Sequence, residues 1–570
     1  VTAEHVPNAP AQPAGQVTGH GGAAIAAAAQ AHGADTLWTL SGAHIFPLYD
    51  AAVGGREGIA DPSSPAPLRL VDTRHEATAV FAAEATAKLT RRPGFAAVTA
   101  GPGVTNAVSP ITSAWFNGSP MVVVGGRAPD SRWGSGALQE LDQPPLLAPV
   151  TKRAWTCHDP AAVAADADAA FALAGSAHRG PVFLDVPMDV LFTPATFDVP
   201  APAAATDRPL DHDTVRSVAA RIAAASRPVV VLGSDVWMDG AAEQALRFVT
   251  ETGLPVVANG MGRGLLPPGH RCLVTRARGA AFAGADLVVV VGTPLDFRLG
   301  FGRFGGQEGA AADVVHIVDA QPQLATHVPL AGALAGDLPT IVDALTDAVL
   351  ADPGRRDVSG WREGLAGRAR AAAAADEDLL TSAADPVHPA RIYGELRHRL
   401  ESDAVVIGDG GDFVSFAGRF IEPARPGGWL DPGPYGCLGT GLGYAMAARV
   451  ARPSSQVVLL LGDGAAGFSL MDVDTLVRHG LPVVMVVGNN ATWGLEKHPM
   501  RFLYGYDVAA DLRPTRYDEV VRALGGAGET VERPDAIGPA LDRAFASGVP
   551  YLVNVLTDTA VAYPRSTTGV

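Results

Sequence analysis

Cysteine is almost absent from the 570-residue sequence: Cys157, Cys272 and Cys437 stand alone, with no CxxC pair. That excludes a disulfide framework and a cysteine-based zinc site, and it fits a reducing cytoplasm. Long apolar runs are missing too. The Ala-rich stretches at 23–31 and 371–375 fall short of the roughly 18 residues a membrane span needs and read as helix, so no membrane partner is expected. No basic region followed by an apolar stretch opens the chain, so no signal peptide is expected. Positive charge is scarce, with 43 Lys and Arg against 59 Asp and Glu, a net −16. Nothing basic clusters as a nucleic-acid face would. A phosphate-rich ligand would need a local basic pocket.

What is present is hydrophobic residue, 48% of the chain, at a length that allows roughly three or four domains. Residues 1–18 are Pro- and Ala-rich and aperiodic, which predicts a flexible arm. Three blocks follow in which short apolar strands alternate with Ala-rich helical stretches, the pattern of βαβ units and parallel sheets. The first, 19–195, has expected strands at Leu68–Val71, Phe95–Thr99, Met121–Val124 and Pro181–Val186. A Pro/Ala-rich linker is expected at Val199–Pro209. The second, 208–350, has strands at Pro228–Leu232, Leu254–Ala258, Ala285–Val291 and Val314–Val318. After a helix expected at Trp361–Leu380 comes the third, 385–557, with strands at Ala404–Ile407, Leu481–Val487 and Tyr551–Val555. The expected fold class is α/β, three doubly wound parallel-sheet domains.

The most informative segment is Gln456–Asn490, QVVLLLGDGAAGFSLMDVDTLVRHGLPVVMVVGNN. An apolar strand breaks at Gly462-Asp463-Gly464, a helical stretch follows, and a second buried strand closes on Asn489-Asn490. A carboxylate ending one strand and a carboxamide ending the next supply two hard oxygen ligands. The glycine turn lets a diphosphate approach N–H groups at a helix start. The arrangement suits a Mg²⁺-diphosphate group.

In the first block, Glu76 lies just past a strand end in RHEATAVFAAEATAKLTRRPGFAAVTAGPGVTN, at the start of a helix pattern. Alone it reads equally well as a first-turn acid favoured by the helix dipole. RHE and GPGVTN upstream of GDG and NN together resemble the thiamine diphosphate enzymes of the acetolactate synthase, oxalyl-CoA decarboxylase and 2-hydroxyacyl-CoA lyase group, from about residue 19 to 560. The resemblance implies a pyrimidine-binding domain (19–195), a central nucleotide-binding-like domain (208–350) and a diphosphate-binding domain (385–557). It also implies a homodimer as the minimum active unit, commonly a homotetramer, with the Glu76 of one copy meeting the GDG/NN pair of another.

Residue by residue, the resemblance implies that Glu76 is the acid hydrogen-bonded to the cofactor's pyrimidine. Asp463 and Asn490 would bind Mg²⁺ by side chain and Thr492 by its carbonyl, while Gly464 and Ala465 face the diphosphate. Leu438 falls where the family has a bulky residue propping the cofactor. Gly410, Gly411 and Asp412, in IGDGGDF, match a second diphosphate turn. Relatives often carry an amide at Asp412, so its carboxylate either pairs with a cation or points away. Gly103 lies in the GPG turn, and Gln139 matches a pocket-lining glutamine. In the central block Arg276, Arg278, Arg298 and Arg303 cluster near strand ends and Asp319 follows a strand, so Arg276, Arg298 and Asp319 are candidates for nucleotide or CoA binding. FAD, ADP and a purely structural domain all remain open there.

After NN the chain reads ATWGLEKHPM, and its early loop is LSGAHIF (Leu40–Phe46). Both depart from the usual acetolactate synthase pattern and look closer to 2-hydroxyacyl-CoA lyases of the actinobacterial 2-hydroxyisobutyryl-CoA lyase type. That resemblance implies cleavage or formation of a 2-hydroxyacyl-CoA, giving a ketone such as acetone plus formyl-CoA. Trp493 would be a pocket wall, Glu496 the proton shuttle and His44 an assistant, though Glu496 also reads as a surface helix residue and His44 as core packing. The polar tail, 558–570, is a candidate lid. The alternative is an acetolactate-synthase-like decarboxylase and carboligase acting on pyruvate. Gly439-Thr440-Gly441-Leu442-Gly443 lacks the order of a dinucleotide fingerprint.

Overall fold

Most of the apolar runs that read as strands are strands buried on both faces, as parallel sheets covered by helices require, while Arg69–Asp72 lies at a sheet edge with Arg69 exposed. A computed structural model describes residues 15–54, 68–203, 209–306 and 310–564. Two compact units emerge. One gathers the chain up to Ala205 with Pro432–Ala451 and Ser469–Leu481. The other holds Thr206–Asp431, Arg452–Phe468 and Pro482 onward.

The first unit is built on a six-stranded parallel sheet in the spatial order Arg69–Asp72, Thr36–Thr39, Gly94–Val98, Met121–Arg127, Pro181–Pro187, Ala154–Thr156. Thr36–Thr39 and Ala154–Thr156 were not anticipated. Of the expected arm, residues 1–14 lie outside the described residues. The part from Gln16 is a correction: Gln16–His20 pairs antiparallel with Pro194–Asp198, and Gln16 donates to Asp198 at 3.0 Å. The partner strand lies far along the chain, so local composition carried no sign of it. In the expected linker, 204–208 lie outside the described residues.

Within this unit the Glu76 helix (Glu76–Thr90) packs on the Thr440 helix (Thr440–Ala451). The approach is close because Gly443 carries no side chain: a Cβ there would stand 2.7 Å from the Thr78 carbonyl oxygen and 2.9 Å from the Phe81 Cβ. A buried ion pair, Lys88–Glu84 at 3.0 Å, lies in the same seam, with Lys88 donating to the Tyr444 hydroxyl at 2.8 Å. Gly443→Ala is therefore expected to destabilise the protein by roughly 1–3 kcal/mol through overpacking. Thermal unfolding of the purified variant measures this, and an unchanged midpoint would show that the two helices can part at no cost.

The second unit carries two parallel sheets. The central one runs Val256–Ala258, Pro228–Leu232, Leu287–Val291, Asp313–Val318, Gly332–Ala335. The other runs Trp429–Leu430, Val405–Asp409, Val457–Gly462, Val484–Asn489, Tyr551–Leu556, Ala527–Val531. In this last sheet the chain goes from Val405–Asp409 to the edge on one side and returns on the other beside Val457–Gly462. Ligands of open α/β sheets bind outside the carboxyl ends of the strands at such a switch point. Gly410-Gly411 and Asp463-Gly464 leave the sheet there. Among the described residues no helix is long and apolar enough to cross a membrane.

Candidate active site

Asp463 opens the helix Asp463–Ser469 at the end of its strand and is 3% exposed. Its Oδ1 accepts the Gly464 N–H at 3.0 Å, while its Oδ2 is buried with no hydrogen-bond partner among the described residues. Burial pushes its carboxyl up to about 6, although the N–H groups of Gly464, Ala491 and Thr492 oppose the shift. A buried carboxylate oxygen left open is costly unless a cation completes it. Asn490, ending the neighbouring strand's turn, accepts the Thr492 N–H on its Oδ1 at 3.2 Å. Ala491 between them has φ +53°, which folds Thr492 back; the Thr492 hydroxyl donates to the Ala510 carbonyl. Carboxylate, carboxamide and carbonyl oxygens form a hard donor set, and the open Asp463 oxygen makes these residues fit a small divalent cation.

Around this turn the packing leaves no room for side chains. A Cβ on Gly464 would lie 2.3 Å from the Trp493 ring, and one on Gly411 would lie 2.5 Å from Leu495 Cδ1. Gly410 has φ +122°. The Asp412 helix (Asp412–Phe420) begins at Gly411 without a side-chain cap. Asp412 Oδ2 accepts the Tyr563 N–H at 3.5 Å and lies beside Gly494. It is thus turned to the start of the Gly494 helix (Gly494–Tyr504) and to the tail, where Thr559 donates to the Asn490 carbonyl at 2.8 Å. Tyr517, which sequence reasoning missed, donates to the Asp463 carbonyl at 3.0 Å. Of the candidate lid, 565–570 lie outside the described residues.

The charged run after Trp493 divides. Glu496 is exposed on the first turn of its helix, and its side chain has no partner among the described residues. Lys497 is buried and donates to Asp511 at 2.6 Å. His498 Nε2 is buried without a partner among the described residues.

In the first unit Glu76 is 7% exposed at the start of its helix, and the Asn106 amide donates to its Oε2 at 3.0 Å. His75 caps the helix by accepting the Ala77 N–H. Gly103 sits buried in the turn Pro102–Asn106. Gln139 has φ +60° and lies against Gly101, where a Cβ would come within 3.0 Å of the Gln139 Cβ. Leu438 is half-buried two residues before the Thr440 helix. His44 is buried with Nδ1 3.1 Å from the Thr99 hydroxyl, and burial lowers its pKa although the Leu138 backbone opposes this. Its ring is packed in the interior of the first unit.

Behind Gly101 lies a network that sequence reasoning missed. Gln143, fully buried, accepts the Gly101 N–H at 2.8 Å and donates to the Gly126 carbonyl at 2.9 Å and to Asp185 at 2.6 Å. Arg127 donates to Asp185 at 2.8 Å. Burial pushes the Asp185 carboxyl up to about 6, against the pull of Arg127. A carboxyl raised on folding stabilises most while protonated, so its contribution falls as pH rises from about 4 to about 6. At about 1.4 kcal/mol per unit this amounts to roughly 3 kcal/mol. Asp185→Asn, neutral at every pH, is expected to flatten that decline in urea-denaturation stability. A profile identical to the parent's would show that Asp185 does not titrate in this window.

The central-sheet candidates are already engaged. Arg276 pairs with Asp376, and Arg298 makes a bidentate pair with Asp296 at 2.7 to 3.1 Å. Arg278 donates to the Arg298 carbonyl. Asp319 is 1% exposed. A phosphate reaching Arg276 or Arg298 would have to displace a carboxylate.

The comparisons with known proteins converge on one family. Residues 19–146 match the N-terminal TPP binding domain of thiamine pyrophosphate enzymes, 215–345 the central domain and 409–555 the C-terminal TPP binding domain. The chain is 49% identical to a protein of Mycobacterium bovis named probable acetolactate synthase, and equally to the acetolactate synthase large subunit IlvG of Mycobacterium tuberculosis, over 98% of both chains in each case. It is 33% identical to human 2-hydroxyacyl-CoA lyase 2, over 94% of this chain and 90% of that one. With all three domains matched and the open carboxylate at the switch point of its last sheet, the chain belongs to the thiamine pyrophosphate enzymes.

Proposed function

We propose that this thiamine-diphosphate-dependent enzyme is an acetolactate-synthase-like decarboxylase and carboligase that acts on a 2-keto acid such as pyruvate. The open, buried Asp463 oxygen carries the cofactor assignment. The 49% identity to chains named acetolactate synthase favours the keto acid over the 2-hydroxyacyl-CoA that the sequence motifs suggested.

Bound thiamine diphosphate supplies the nucleophilic carbon and the electron sink for breaking and making a bond beside a carbonyl. The chain's own groups do the rest. Asp463, Asn490 and the Thr492 carbonyl hold Mg²⁺, and the Gly464, Ala465, Gly410 and Gly411 backbone receives the diphosphate. Glu76, steadied by Asn106, exchanges a proton with the pyrimidine ring. Leu438 would support the cofactor, while Gly103, Gln139 and Trp493 would wall the pocket. Two copies complete each site, Glu76 coming from one and Asp463 from the other. A homodimer is thus the smallest active form and a homotetramer the expected one. The central domain takes ADP or FAD only if Arg276 and Arg298 leave their carboxylates.

A second reading, 2-hydroxyacyl-CoA lyase, rests on Glu496. This carboxyl is exposed, without a partner among the described residues, three residues past Trp493, where it can pass a proton to a departing acyl unit. Incubation with thiamine diphosphate, Mg²⁺ and either pyruvate or 2-hydroxyisobutyryl-CoA separates the two. Acetolactate from pyruvate supports the first reading. Formyl-CoA and acetone, with no turnover of pyruvate, would replace it by the second.

A further inference from the structure

The Asp412 helix is gripped at its far end by the central domain. Arg263, just after the turn Gly260–Gly262 that follows a central-sheet strand, donates from Nη1 to the Gly418 carbonyl at 2.9 Å and from Nη2 to the Ile421 carbonyl. These are carbonyls of the helix's last turn and its cap, groups that a helix leaves without internal partners. The guanidinium lies over the Trp429 ring at 4.3 Å, and its Nε is buried. Gly264 brings the two segments together, since a Cβ there would stand 2.2 Å from the Arg425 carbonyl oxygen. A second clasp adds to the first. Arg419, on the same helix, and Arg276, of the central domain, both pair with the buried carboxylate of Asp376.

The helix so held is nine residues long, and its other end is the uncapped Gly411 turn. A cation on the negative end of a helix dipole fixes the helix along its axis. A shift along that axis moves the Gly411 and Asp412 N–H groups by the same amount. The fit there is close, with Gly411 against Leu495 and Gly408 against Val414, where a Cβ would come within 2.8 Å. The helix therefore cannot settle elsewhere without opening the turn.

We infer that Arg263 is a positioning residue for cofactor binding: by seizing the C-terminal carbonyls of the Asp412 helix it sets the Gly410–Gly411 turn that receives the diphosphate. Arg276, seen from the sequence as a phosphate clamp, serves the same end through Asp376. The inference rests on the proposed cofactor site.

The test is calorimetric titration of the metal-loaded, full-length protein with thiamine diphosphate, which needs no turnover. Arg263→Met is expected to weaken binding about 10- to 100-fold, the range seen when outer-shell partners of a site are lost. Arg263→Lys, whose single ammonium can hold one carbonyl, is expected to lie between that variant and the parent. Asp376→Asn is expected to weaken binding by a smaller factor. If Arg263→Met does not fold, Arg263→Lys with Asp376→Asn carries the test. Variants that melt earlier yet bind with the parent's affinity would overturn the inference, leaving Arg263 a purely structural tie. A parent protein that binds no thiamine diphosphate would instead overturn the reading beneath it.

Discussion

Asp463→Asn is expected to lower turnover about 1,000-fold while making the metal-free protein more stable by about 2 kcal/mol. The two effects have one cause. The carboxylate is buried with one oxygen lacking a partner among the described residues, an arrangement that weakens the fold unless a cation completes it. The carboxamide removes the buried charge and with it most of the attraction for Mg²⁺. The rate loss corresponds to roughly 4 kcal/mol of transition-state stabilisation, the several kcal/mol a bound metal ordinarily supplies. Steady-state rates over a range of Mg²⁺, beside urea unfolding in chelator, measure both. A variant less stable than its parent without metal would show that the oxygen is satisfied in solution, and the site would need another metal ligand.

The second large effect is expected at Glu76. Glu76→Gln keeps an oxygen to accept the Asn106 amide, so the fold should be untouched. It removes the only proton the side chain can exchange. General acid–base help of this kind contributes about 10²- to 10⁴-fold. Turnover should fall by that much, with thiamine diphosphate affinity within about threefold of the parent, since an amide still accepts and donates hydrogen bonds. Turnover at the parent's rate would leave Glu76 as a first-turn acid serving the helix dipole alone. Mixing Glu76→Gln with Asp463→Asn chains also tests the shared site. If each site takes one residue from each copy, mixed dimers regain one intact site where neither parent variant is active. An inactive mixture at dimer-forming concentrations would argue that each chain holds its own site.

Much of the fold was legible because parallel strands buried on both faces are written as unbroken apolar runs. Pro228–Leu232 was read at the bounds it has, and Val457–Gly462 and Val484–Asn489 within a few residues. Trp429–Leu430, Gly332–Ala335 and Ala527–Val531 were missed. They are edge strands of two to five residues, and Gly332–Ala335 and Ala527–Val531 are rich in Gly and Ala, so each is a strand mainly because a neighbour pairs with it. Gln16–Thr18, the first residues of the strand Gln16–His20, were read as part of a loose arm for the same reason.

At the site the division is similar. That a carboxylate and a carboxamide would end neighbouring strands followed from the chain alone, because a strand's end is set locally, by an apolar run meeting glycine or asparagine. Tertiary structure alone decided that one Asp463 oxygen would be left open, that Gln143 and Asp185 would stand behind Gly101, and that Arg276 would be spent on a carboxylate. Most of these depend on groups far apart in sequence, such as Arg276 and Asp376 or Arg263 and Gly418. Which polar atoms meet, and which find no partner, is a property of packing. No local pattern of residues encodes it.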